Sequence, residues 1–247
     1  MENALLVGLS RQVALRRELD VIANNLANLG TTGFKGENVL FEQYLGSGAR
    51  ENNFPIPDQR VAFVVDRATR TDFAQGALEQ TGNKLDIAID GPGFLVVETP
   101  RGERYTRNGS FALAANGELV NADGNRVIGE SGPIVLEPAD TDITIARDGS
   151  VSTKGGERGR IKMVRFEAGQ KLSKEGGNLF STSAQPLPVE SRTSLIQGAI
   201  EKSNVRPIQE IGRMIEVTRA YTTLANLLSR TDELRGNAIN KLAEVPA

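Results

Sequence analysis

Both ends of this chain carry a stripe of apolar residues spaced three or four apart, and no other feature restricts the fold as strongly. Near the N-terminus Leu5, Leu15, Leu19, Ile22, Leu26 and Leu29 keep that spacing, and only Gly8 and Gln12 in the same row are not large and apolar. The period is that of one helix face, so a helix is expected from about Asn3 to Asn28, ended by a left-handed turn at Gly30. Arg11, Arg16, Arg17, Glu18 and Asp20 fall beside the row, which makes the stripe narrow, like a coiled-coil seam. Near the C-terminus Ile211, Met214, Val217, Tyr221, Leu224, Leu228, Ala238 and Leu242 form a matching seam, interrupted at Thr231 and Arg235. This second helix should be capped by Ser203 or Asn204, carry Pro207 in its first turn and run to about Leu242. Periodicity alone leaves two readings equally open: helices docked on their own domain, or helices reserved for subunit interfaces.

Between the seams the period changes. Residues 32–80 read as an extended connector arm, because a Gly, Asn and Pro-rich passage, GSGARENNFPIPDQR, has no period and the following VAFVVDRATRTDFAQGALEQTG could give one or two strands. Phe41 and Leu45 sit four apart in this arm, which on their own reads as two residues packing on a short helix. Residues 81–190 read as a β domain. Leu85, Ile87 and Ile89 alternate, Phe94 to Val97 continue as a strand, and further strands are expected at Pro133 to Leu136, Ile143 to Ala146 and Ile161 to Phe166. Asn116-Gly117, Asp123-Gly124 and Asp148-Gly149 each separate short apolar runs as tight hairpin turns do. Residues 191–247 then supply a linker and the second helix. The fold class is therefore α+β: N- and C-terminal amphipathic helices pairing as a coiled-coil domain, an extended arm and a central antiparallel β domain.

Composition limits the chemistry. The 247 residues include neither Cys nor His, which removes thiolate nucleophiles, sulfur ligands, disulfides, the commonest general base and the commonest metal ligand together. A net charge of -2 argues against nucleic acid or anionic lipid as the main partner. The opening MENALLVGLSRQ does not have the form of a cleaved secretory signal, and no apolar run approaches a membrane span. Asn121, Asp123 and Asn125 alternate like the first ligands of a calcium loop, but Arg126 and Gly132 stand where that loop needs Gly and Glu. Ser150, Ser152 and Lys154 suggest a serine–lysine nucleophile, yet they follow a hairpin turn on a strand face that should be solvated. No cofactor, metal or small-molecule substrate is expected.

The stretch ANNLANLGTTGFK, residues 23–35, resembles the N-terminal signature of the bacterial flagellar rod and hook proteins, with Asn24, Asn25, Asn28, Thr31, Gly33, Phe34 and Lys35 in the positions that pattern asks for. Near the other end Glu201, Ser203, Asn204, Val205, Glu210, Met214, Ile215, Arg219 and Tyr221 resemble the C-terminal signature, departing from it at Gly212 and Thr222. Tyr105, Thr106, Arg107, Gly109 and Phe111 match the block between. The short middle domain and VIGESGPIVLEP look most like the proximal-rod members. The resemblance implies a structural subunit without a catalytic site, exported unfolded by the flagellar type III apparatus and stacked helically in the torque-transmitting rod of the basal body. Its partners would be other rod proteins, further copies of itself and the export gate, for which Phe41 and Leu45 resemble the recognition signal. A distal-rod or hook-type axial role, a secreted coiled-coil filament or adhesin subunit, and a small hydrolase built around Ser150 are the alternatives. Because a lone seam leaves each helix marginal, both termini are expected to be largely disordered in the free monomer and to fold on assembly.

Overall fold

The computed structural model describes residues 2–46, 61–137, 140, 142–167 and 169–243. They divide into two compact units, one formed by Met1–Ala27, Glu37–Asp72 and Arg206–Ala247, the other by Asn28–Gly36 and Phe73–Val205.

The first unit holds α1 (Glu2–Ala27), β1 (Glu37–Gly46), β2 (Val61–Thr71) and α2 (Pro207–Ala243). The helices run antiparallel: Gly8 abuts Leu228, Glu18 pairs with Arg213 and Asn25 bonds Glu210, so the α2 number falls as the α1 number rises. Leu15, Ile22 and Val217 are buried between them, with Leu19, Met214, Tyr221 and Leu224 packed around. Gly8 allows close approach, since a Cβ there would come within 2.6 Å of Leu228 Cδ2. Leu5, Leu26, Leu29 and Leu228 are half-buried, whereas the Leu242 side chain lies outside the described residues.

Several expectations are corrected. Ile211, placed on the seam by its spacing, is 46% exposed. The buried face of α1 is wider than the seam, because Ala14 and Val21 are also buried and α1 packs on β1 and β2 as well as on α2. Gly30 does not adopt the left-handed conformation; that falls to Gly33, at φ +67°. Helix α2 starts at Pro207, with the Glu210 amide donating to the Arg206 carbonyl, so Ser203 and Asn204 precede the cap and are used elsewhere. Phe41 and Leu45 lie on a strand and not on a short helix. In place of an unpatterned arm, β1 and β2 pair antiparallel from Glu37↔Thr71 to Gly46↔Val61. The partner of Leu40 is Ala68 and that of Phe41 is Asp66, which leaves Arg67 as an extra residue in β2. Such a bulge transfers all later side chains to the other face, and so breaks the alternation by which a strand is read.

In the second unit β3 (Leu78–Gln80) and β4 (Ile87–Asp90) precede β5 (Phe94–Thr99) and β6 (Gly102–Thr106). Strand β5 is central, paired with β6, Arg126–Gly129 and Met163–Arg165, all antiparallel. Its alternate residues enter different cores. Leu95 and Val97 join Ile87, Ile89, Leu119, Ile134, Ile161 and Leu195, while Phe94 and Val96 join Tyr105, Val164 and Phe180. Burial on both faces explains why FLVV is apolar without alternation. The Gly117, Gly124 and Gly149 amides donate to the carbonyls of Ala114, Asn121 and Ala146, three residues back, and each glycine has positive φ. In each expected hairpin the preceding Asn or Asp keeps negative φ, which fits a type I turn closed by a glycine bulge. The unit also extends beyond 190: β4 pairs with Ser194–Gln197 and β3 with Ala199–Glu201.

Candidate functional site

A buried polar hub joins four stretches of the second unit that are far apart in sequence. Its centre is Glu201, which is wholly buried. Oε1 accepts the Lys35 ammonium at 2.6 Å and the Gly76 amide at 2.8 Å, while Oε2 accepts Arg107 Nη1 at 3.2 Å. The Glu201 carbonyl accepts the Gly33 amide at 2.7 Å. Lys35, itself wholly buried, also donates to the Ala74 carbonyl at 2.7 Å. Arg107 donates through Nη2 to the Gly91 carbonyl at 2.9 Å, and its guanidinium carbon lies 5.5 Å from the centre of the Phe94 ring. Burial lowers the Arg107 pKa, and the Glu201 carboxylate opposes that shift. A buried ion pair adds little net stability over an apolar substitute, but removing one partner is costly, about 3–5 kcal/mol. The hub is therefore a device for fixing which segments meet.

The residues of the N-terminal signature have separable tasks. Thr31 and Phe34 donate amides to the Asn28 and Thr31 carbonyls, both at 3.2 Å, folding successive turns, and Thr31 Oγ1 lies 3.1 Å from Asn28 Oδ1. Gly33 passes so close to the backbone of Arg107 and Asn108 that a Cβ would come within 2.6 Å of the Arg107 carbonyl oxygen. Phe34 is buried beneath Lys174, whose ammonium lies 3.8 Å from the ring centre. Asn204 holds the same strip from the C-terminal side: its Oδ1 accepts the Gly36 amide at 2.8 Å and its Nδ2 donates to the Ala74 carbonyl at 3.0 Å. Ser203 Oγ accepts the Val205 amide at 3.3 Å, and Val205 is half-buried.

Asn25 serves the first unit instead. It is buried, exchanges hydrogen bonds with the Glu37 backbone at 2.8 and 2.9 Å, and donates to Glu210 Oε2 at 3.3 Å. Arg213 continues this clamp to Asn38 at 3.0 Å and Glu18 at 3.1 Å. One amide side chain thus fixes α1, β1 and the first turn of α2. Asn24 is exposed.

The remaining candidates are dispersed. Phe41 is 39% exposed on β1, and the Leu45 side chain lies outside the described residues. Asn121 Oδ1 accepts the Asp123 and Asn125 amides at 3.1 and 2.8 Å, a turn-closing role. Ser150 bonds Asp148 at 2.9 Å while Lys154 pairs with Asp142 at 2.7 Å, so serine and lysine turn to different partners. Sequence reasoning missed the hub as a unit. Lys35, Arg107 and Glu201 each lie in a stretch of family resemblance, and that coincidence was the available signal, but nothing in sequence distinguishes a buried charge from a solvated one.

Three family models match: residues 5–35 that of the flagella basal body rod protein, 88–153 that of the flagellar hook protein FlgE/F/G D1 domain, and 196–241 that of the flagellar basal body rod FlgEFG protein C-terminal region. The chain is 40% identical over 248 residues to the flagellar basal-body rod protein FlgF of Caulobacter vibrioides, covering 99% of this chain and 100% of the relative. It is 34% identical to FlgF of Mesorhizobium japonicum, covering 98% of each, and 35% identical to the flagellar basal-body rod protein FlgG of Borreliella burgdorferi, covering 97% and 98%.

Proposed function

Because the chain belongs to the flagellar basal-body rod protein family and is a structural subunit of the basal body, we propose that it occupies the proximal rod and acts there through its helices. It is exported by the flagellar type III apparatus, with Phe41 and Leu45 as the gate signal, and joins other rod proteins and its own copies. In the assembled rod α1 and α2 form a coiled-coil layer in which the seam packs the two helices of one chain together, the apolar side chains they leave exposed meet adjacent subunits, and the arm and β domain lock the outside. Torque passes through these interfaces. No reaction, nucleic acid, membrane insertion or small-molecule substrate enters this reading.

The observation that carries it is the apolar surface that α1 and α2 leave open within their own unit. Val13 is 68% exposed on α1, and Ile208, Leu227, Leu234 and Ile239 are between 57 and 87% exposed on α2. Large apolar side chains repeated along an exposed helix mark an interaction face. In a strain lacking the gene, a copy carrying Leu227→Ser and Leu234→Ser should be produced and exported yet leave cells non-motile without complete rods in electron micrographs. Normal rods from that variant would overturn the helix-interface mechanism. A distal-rod position is the second reading, favoured by the near-complete alignment with FlgG relatives; it requires that rods assemble up to this subunit's neighbours in the deletion strain, whereas a proximal position requires that they do not.

A further inference from the structure

We propose that a cleft of the second unit binds a second copy of this chain, through that copy's stretch Phe54-Pro55-Ile56-Pro57-Asp58. The inference rests on the reading above, in which copies of the chain meet one another, and names two parts that meet. The cleft has a volume of about 350 Å³, within the roughly 300–1,000 Å³ usual for binding pockets. It lies on the open side of the smaller apolar core. Phe94 is buried, whereas Phe73, Phe166 and Leu172 pack beside it only half-buried, and all four line the cleft. The ring centres of Phe73 and Phe166 stand 5.5 and 5.8 Å from that of Phe94, which gives the cleft a floor of three aromatic rings. Arg107 lines it as well, with Nη1 and Nη2 engaged by Glu201 and the Gly91 carbonyl and with its buried Nε lacking an acceptor. Arg165 and Glu167, on either side of Phe166 in the chain, complete the lining, and among the described residues neither forms an ion pair.

Residues 47–60 lie outside the described residues, and their sequence has the chemistry this cleft takes. Phe54 and Ile56 each precede a proline, which favours the extended polyproline form. Proline-rich segments of that form dock in grooves lined by aromatic rings at low entropic cost. The charges match as well. Asp58 and Arg60 stand two positions apart, as Arg165 and Glu167 do, with the signs reversed. An extended segment laid over the phenylalanine rings therefore sets Asp58 toward Arg165 and Arg60 toward Glu167, and charge complementarity of this kind fixes register.

The test titrates a fluorescent peptide of residues 51–60, ENNFPIPDQR, with dilute full-length protein and follows anisotropy. The peptide should bind saturably, and its Phe54→Ser, Ile56→Ser form should bind at least roughly tenfold more weakly, since the apolar anchors are lost. Arg165→Glu in the protein should weaken the parent peptide at least roughly tenfold, because like charges then face each other. An Asp58→Arg peptide should bind Arg165→Glu more tightly than it binds the parent protein, a reversal that misfolding cannot produce. No saturable binding would overturn the proposal, as would an Arg165→Glu protein that still prefers the parent peptide. The chain has no Cys, so a Phe54→Cys chain mixed with a Leu172→Cys chain should give a disulfide-linked pair under mild oxidation, and neither alone should. Linkage only when both substitutions share one chain would overturn the second copy as occupant. Failure here leaves the rod reading standing, because that reading is tested separately by Leu227→Ser and Leu234→Ser.

Discussion

Gly33 shows how much one position can decide. Its φ of +67° lies in the left-handed region, and a Cβ would meet the Arg107 and Asn108 backbone. Gly33→Ala therefore combines backbone strain with a contact that no rotamer can relieve. It should lower the stability of the second unit by about 2–4 kcal/mol in chemical denaturation, whereas Gly30→Ala, where a Cβ would meet nothing within 4 Å, should change it little. A Gly33→Ala protein as stable as the parent would remove that glycine from the hub. Residues of this kind were partly legible: the signature named Gly33 and Lys35, whereas the end of the helical period placed the left-handed turn at Gly30. Gly30 and Gly33 look alike in sequence, and what separates them is the approach of Arg107, 74 positions away.

At the scale of elements, helices were read well and strands unevenly, for a physical reason. A helix declares itself through contacts three and four residues apart, so α1 and α2 were located to within a few residues. The β1 and β2 hairpin was obscured because the bulge at Arg67 reverses the alternation midway. The widened face of α1 was equally hidden: Ala14 and Val21 are buried, yet neither belongs to the row that spacing selects. Seam burial can be weighed directly. Ile22 is 1% exposed and packs in the cluster of Leu15 and Val217. Ile22→Ala should destabilise the helix pair by about 2–5 kcal/mol, measured as a loss of helical signal at lower urea. A change below about 0.5 kcal/mol would mean that the pair is held elsewhere.

For the molecule as a whole, the contrast between the two cores sets an order of stability. Among the described residues the helix pair centres on three buried apolar side chains, Leu15, Ile22 and Val217, with Ala14 and Val21 also buried on α1. The β unit has two clusters, including Ile87, Leu95, Val97, Phe94 and Phe180, each nearly or wholly buried. Limited proteolysis of dilute monomer should therefore cut within α1 and α2 well before β5 and β6, and assembly should suppress those early cuts. Equal resistance of both units would contradict ordering on assembly. The division into residues 1–31, 32–80, 81–190 and 191–247 expected from sequence follows changes in composition, and composition does not report that Asn28–Gly36 is built into the β unit while Glu37–Asp72 belongs with the helices. That interleaving has a consequence for dissecting the gene. The backbone passes between the units at four places, after residues 27, 36, 72 and 205. Domains joined in series can be separated by one cut in the coding sequence, whereas no single contiguous stretch of this chain carries either unit whole.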